Sequence, residues 1–149
     1  MKKKSLLFIV VGGVVFLIIF YLGVGNRGIT IKETTTRSKE VGDFILHIHI
    51  ANVEEGIKVF SSLQYTGEGT VEVEHLNPLV SVVLGDEEHQ YENDITIKQL
   101  SNGNIYHHPN SNKVFRMVKD SPCKLYFQAK FKVNNEEITI DHKEILQAL

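Results

Sequence analysis

The sequence predicts an all-β domain, an antiparallel sandwich, carried behind one N-terminal transmembrane helix. Three observations predict it. From Phe44 onward apolar residues recur at every second position, the period of a strand buried on one face. Gly, Asn, Asp and Pro interrupt the apolar runs about every 8–12 residues, the spacing of sandwiches and barrels. Ahead of these runs lies Ser5–Val24, a stretch of 20 residues without a charge.

As a helix, that stretch would rise about 30 Å, the thickness of the hydrocarbon core. Backbone groups in lipid must be paired internally, so helix is expected despite the β-branched content. Lys2, Lys3 and Lys4 precede it and a lone Arg27 follows. The positive-inside bias then holds the N-terminus in the cytoplasm and places the rest of the chain outside. A cleaved signal peptide is the alternative, with small residues at Gly23 and Gly25 allowing cleavage after Gly25. The apolar run is longer than the roughly 7–15 residues of a secretory core, which favours an uncleaved anchor. The chain thus divides into a cytoplasmic lysine cluster at 1–4, a transmembrane helix at 5–24, a juxtamembrane spacer at 25–42 and an extracytoplasmic sandwich domain at 43–149. The expected location is the cell membrane, crossed once.

Charge and cysteine content narrow the class. The formal net charge is −2 over 149 residues, which leaves no broad basic face for nucleic acid. All 18 Asp and Glu lie after Val24, with 13 of the 16 Lys and Arg, so the exterior part carries −5. Such a domain will not hug anionic lipid. One cysteine excludes an intrachain disulfide framework.

Within the exterior part, Phe44, Leu46, Ile48 and Ile50 form one strand face. Ile57, Val59, Ser61, Leu63 and Tyr65 form the next. Shorter apolar runs lie at Val71–Val73, Leu79–Leu84, Ile95–Ile97 and Val114–Val118. Cys123, Leu125, Phe127, Ala129, Phe131 and Val133 make the cleanest half-buried strand, and Cys123 is expected to pack inside it as a small apolar residue. Two hairpins are expected. A two-residue turn at Asn134-Asn135 would set Phe131 against Ile138, Ala129 against Ile140 and Lys132 against Glu137. A turn at Gly67-Glu68-Gly69 would set Tyr65 against Val71 and Leu63 against Val73. At the C-terminus, Asp141 and Glu144 have capping-box spacing, which predicts a short helix docking Ile145, Leu146 and Leu149.

About 105 residues in seven to nine strands is the size of an immunoglobulin-like sandwich, although Trp is absent and Cys123 has no partner cysteine. Ser62-Leu63-Gln64-Tyr65-Thr66-Gly67, His75-Leu76-Asn77-Pro78-Leu79 and the lysine-led apolar N-terminus carry a loose resemblance. The chain resembles the small membrane-anchored immunoglobulin-like proteins of spore-forming Gram-positive bacteria. That resemblance implies a β-sandwich at a bacterial surface and no catalytic residues. Proteinase-inhibitor-type sandwiches share the strand pattern and usually lack the anchor.

Enzyme motifs are missing: no Gly-x-Ser-x-Gly, His-Glu-x-x-His, Gly-x-x-x-x-Gly-Lys or Gly-x-Gly-x-x-Gly occurs. Tyr106, His107 and His108, in a polar loop that ends near Asn112, form the candidate interaction site, because exposed Tyr and His on a rigid sandwich suit partner recognition. His47 and His49 fall on one strand face and could supply half of a zinc or copper site, with His75, His107 or His108 as the third ligand. The simpler reading leaves both on the solvent side. Asp86, Glu87, Glu88, Glu92 and Asp94 lack the spacing of a calcium loop. No cofactor is expected. The function expected is non-catalytic binding of a surface protein or cell-wall component. The alternatives are a proteinase-inhibitor-type sandwich and a metal-binding domain built on the His47/His49 pair.

Overall fold

Strands with one apolar face must pair edge to edge and then cover that face, and turn chemistry decides which strands meet. The computed structural model describes residues 31, 34–109, 111–116 and 122–147. The lysine cluster, the expected transmembrane helix, Leu149 and parts of the expected spacer lie outside the described residues. Among the described residues there is no helix, and hence none long and apolar enough to cross a membrane.

Nine strands follow in order: β1 (Thr35–Val41), β2 (Phe44–Val53), β3 (Gly56–Tyr65), β4 (Thr70–Leu84), β5 (Glu92–Ser101), β6 (Ile105–Tyr106), β7 (Asn112–Phe115), β8 (Cys123–Val133) and β9 (Glu136–Leu146). One sheet runs β1-β2-β3, with β6 and β7 both paired to β3. The other runs β5-β4-β8-β9. Every pairing is antiparallel. The all-β, two-sheet expectation holds.

The Asn134-Asn135 hairpin has the expected register: Phe131 opposes Ile138, Ala129 opposes Ile140 and Lys132 opposes Glu137. Both turn residues have positive φ, at 52° and 67°. That is the type I′ geometry whose twist matches the strands, and Asn tolerates it. Gly42-Asp43 closes β1 onto β2 with positive φ at Gly42 only, as a type II′ turn requires.

Three expectations are corrected. Gly67–Gly69 does not close a hairpin, because β3 and β4 belong to different sheets. Tyr65 and Val71 therefore face across the sandwich, not along a ladder. The crossing is tied down by Thr66 N–H donating to Asp43 O at 2.8 Å and by Asn102 Nδ2 donating to Thr66 O and Gly67 O, each at 2.9 Å. The spacer ends early: Thr35–Val41 is strand β1, paired along its whole length with β2. The C-terminal helix is a strand instead. Ile138, Ile140, His142, Glu144 and Leu146 all point inward, opposite the inward face of β8.

The core lies between the sheets. Leu46, Ile48, Ile50, Ile57, Val59 and Leu63 of one sheet meet Val73, Leu125, Phe127, Ala129, Phe131 and Ile140 of the other, all buried. Phe44 and Phe131 touch edge to face across the gap, with ring centroids 4.8 Å apart. Cys123 is buried as expected, and burial raises its thiol pKa.

β4 is irregular. From His75 to Val80 it advances five positions while β8 advances only from Phe131 to Ala129, so three extra residues bulge out. An odd number of extra residues changes which positions face inward. Val73 and His75 face the core before the bulge, and Val80 and Val82 face it afterwards.

Two truncations separate core from surface. Phe127→Ala is expected to lower the unfolding free energy by about 3–5 kcal/mol. Ile145→Ala is expected to cost under about 0.5 kcal/mol, since Ile145 is 55% exposed. Denaturant titration of both measures the contrast. A large loss at Ile145 would restore the docked helix.

Candidate functional site

Inward residues need not be apolar when they can pair with one another. His75 projects from β4 into the gap between the sheets and is 3% exposed. Tyr106 on β6 reaches it from the opposite sheet. His75 Nδ1–H donates to Leu76 O at 2.7 Å, which leaves Nε2 to accept from Tyr106 Oη at 3.1 Å. His108 completes the cluster, its ring 5.1 Å from His75 and 6.2 Å from Tyr106. Lys98 of β5 lies over the Tyr106 ring, with Nζ 5.9 Å from its centroid.

Burial sets the charge state of this cluster. It lowers the pKa of His75, and the hydrogen bond to Leu76 offsets part of the effect. Burial, then the nearby His75, lowers that of His108. Burial raises that of Tyr106. At neutral pH all three are uncharged, and together they join β4 to β6 through a neutral hydrogen bond.

The expected interaction site is therefore rearranged. Tyr106 and His108 are buried and do not present a surface; His107 alone of the three is exposed. The loop supplies an inter-sheet contact where an exposed recognition patch is expected. Alternation says nothing about this, because a two-residue strand and the loop after it show no period.

His47 and His49 fall on the outward face of β2, as the simpler reading has it. His47 Nε2–H donates to Gln64 Oε1 at 2.8 Å, and its Nδ1 accepts from Ser38 Oγ at 3.0 Å. His49 Nδ1 pairs with Thr36 Oγ1 at 3.0 Å. Both rings are engaged by cross-strand neighbours, while His75 lies on the inward side of the other sheet. Among the described residues no group of three or more His, Cys, Asp or Glu is placed to hold a metal ion.

A different feature stands out, the free edge of β5. Ile95 and Ile97 are 59% and 56% exposed on its outward face. Beside them the β4 bulge opens a cavity of about 210 Å³, lined by Leu76, Tyr91, Ile95 and Phe131 with Glu74 and Lys130 among its polar groups. In the sequence Ile95–Ile97 is a short apolar run with no evident orientation. The available signal is parity. Leu100 lies on the face opposite to Ile95 and Ile97, so one apolar set has to remain outside, and Leu100 is the one buried.

No protein-family model and no curated protein matches the chain. Among solved structures it is similar to the GAE domain of GGA2p from Saccharomyces cerevisiae. That match has a TM-score of 0.32 and 14% identity, covering 78% of this chain and all of that one.

The buried histidines make stability depend on pH. Their folded pKa values lie below the ordinary value of about 6.5. As pH falls, the unfolded chain takes up these protons first. Stability is full above about pH 6.5 and declines as pH drops toward the depressed folded values. The denaturation midpoint is expected to fall between pH 7 and pH 5. The slope should be shallower in a His75→Asn, His108→Asn double variant. Tyr106→Phe leaves Nε2 of His75 without its donor and is expected to cost about 1–3 kcal/mol at pH 7, read by the same titration.

Proposed function

We propose that this chain is a non-catalytic binding module, held to a membrane by residues 5–24 with its sandwich on the extracytoplasmic side, and that it engages a protein partner along the edge of β5. The observation that carries the reading is the contrast between β5 and the other sheet edges.

Sheet edges invite pairing, and proteins blunt them with charge, shortness or cover. β1 presents Thr36, Arg37, Ser38, Lys39 and Glu40, all exposed and polar. β9 turns His142 and Glu144 inward. Glu144 is 12% exposed at its side chain and paired with Arg37 of β1 at 3.3 Å, so that flank is closed by an ion pair. β6 and β7 are short, at two and four residues. β5 is ten residues long and displays two isoleucines on one face. An added strand would pair with its unused backbone groups and cover those side chains, the mode of β-augmentation.

The lysine-led apolar segment supports the membrane tether, and the absence of enzyme motifs supports a binding role over a catalytic one. The test uses the tagged full-length chain purified from its native membrane. A near-stoichiometric companion, another protein or an untagged second copy, is expected to come with it. Ile95→Asp with Ile97→Asp is expected to remove that companion while changing stability by no more than about 0.5 kcal/mol. A companion retained by the double variant would overturn the assignment to β5. A chain that arrives without any companion would overturn the binding role.

A further inference from the structure

The edge of β5 is complementary to itself in one register. It reads Glu92-Asn93-Asp94-Ile95-Thr96-Ile97-Lys98-Gln99-Leu100-Ser101. With two copies antiparallel about a two-fold axis at Thr96, Ile95 of each opposes Ile97 of the other. Asp94 then opposes Lys98, and Asn93 opposes Gln99. Every contact occurs twice, as an isologous interface requires.

Neighbouring registers lose this match. An axis at Ile97 sets Asp94 against Leu100 and Lys98 against Thr96. An axis at Ile95 sets Ile97 against Asn93. A register between residues would join the inward side of one sheet to the outward side of the next, because side chains alternate with period two. Only the Thr96 axis pairs both isoleucines and both opposite charges.

We infer that a second copy of this chain occupies the β5 edge, joining two four-stranded sheets into one continuous sheet. The inference rests on the reading that β5 is the interaction edge. Charge complementarity selects the occupant. Asp94 and Lys98 are exposed and form no ion pair among the described residues. Across the axis each meets an opposite charge, which Asp94 lacks among the described residues and for which Lys98 has only the face of the Tyr106 ring. A bulge at Asn93–Asp94 ends the regular ladder with β4, so the joint is short, Ile95 to Ile97 with a charged pair closing each end. A short joint between copies tethered in one plane forms at an effective concentration that free solution does not supply.

The test places a thiol on the axis. Opposed residues of an antiparallel pair lie about 4.5–5.5 Å apart at Cα, within the range a disulfide spans. Full-length Thr96→Cys in its native cells, treated with a mild oxidant, is expected to give a chain–chain dimer on a non-reducing gel. Adding Ile97→Asp is expected to lower the dimer fraction about tenfold. Asn93→Cys alone should give no dimer, whereas co-expressed Asn93→Cys and Gln99→Cys chains should cross-link to each other.

The buried Cys123 reports the fold: one maleimide per chain in reduced Thr96→Cys protein means that Cys123 is still covered. If two thiols label, the Asn93→Cys and Gln99→Cys pair takes over the test. An adduct between Thr96→Cys and a different protein would overturn the second copy and retain β5 as the binding edge. A folded chain with no adduct of either kind would overturn both readings.

Discussion

The three extra residues in β4 are the constraint on which much else depends. β4 is shared: its first half holds β5 on one side and β8 on the other, and its second half continues along β8 alone. A regular strand of fifteen residues would keep one parity throughout. The sequence does not; Val73 and His75 are inward, and then Val80 and Val82. The bulge reconciles the two halves by letting β4 change parity without leaving the sheet. It also opens the cavity beside Leu76 and leaves room for the segment before β5 to fold back, where Tyr91 Oη donates to Gln128 O at 2.9 Å.

Polar groups at inward positions follow a common logic at the two flanks of the sandwich. Near β9 and β1, Glu144 is held by Arg37 and by His142, whose Nε2 lies 3.1 Å from its carboxylate. Near β5 and β6, His75 and Tyr106 satisfy each other by one hydrogen bond. The centre, between β2, β3 and β8, is apolar apart from the buried Ser61 of β3, whose Oγ donates to Ser111 O at 3.5 Å. Glu144 and His142 keep partial access to water, which lowers the cost of placing them inward, whereas the buried His75 and Tyr106 depend on their hydrogen bond.

The sequence was most legible where local chemistry and long-range pattern coincide. At Asn134-Asn135 the turn type, the alternation and the charge pairs all specify one register. At Gly67–Gly69 the glycines license a turn, and nothing local tells a hairpin from a crossing between sheets. The C-terminal strand was hidden because His142 and Glu144 interrupt its apolar alternation while Asp141 and Glu144 imitate a helix start. Glu144 is explained by Arg37, more than a hundred positions away along the chain, and His142 by Glu144. The candidate site is hidden for a related reason. Tyr106 ends the two-residue strand β6 and His108 follows in the loop, and both pack against His75, which no local pattern connects to them.

β5 is held by little apolar contact of its own. Leu100 is its one buried residue, and its other inward positions meet the polar cluster where the centre of the sandwich offers apolar cover. It pairs with β4 on one side only, and a bulge interrupts that ladder near Asn93. Local stability follows buried apolar contact and completed hydrogen bonds, and β5 is short of both. An added strand would complete the second row of hydrogen bonds and cover Ile95 and Ile97, supplying to β5 what the domain itself does not. The same pairing at β1 would cover mainly polar side chains, Thr36 to Glu40. β5 is thus the edge at which association would supply both hydrogen bonds and apolar cover.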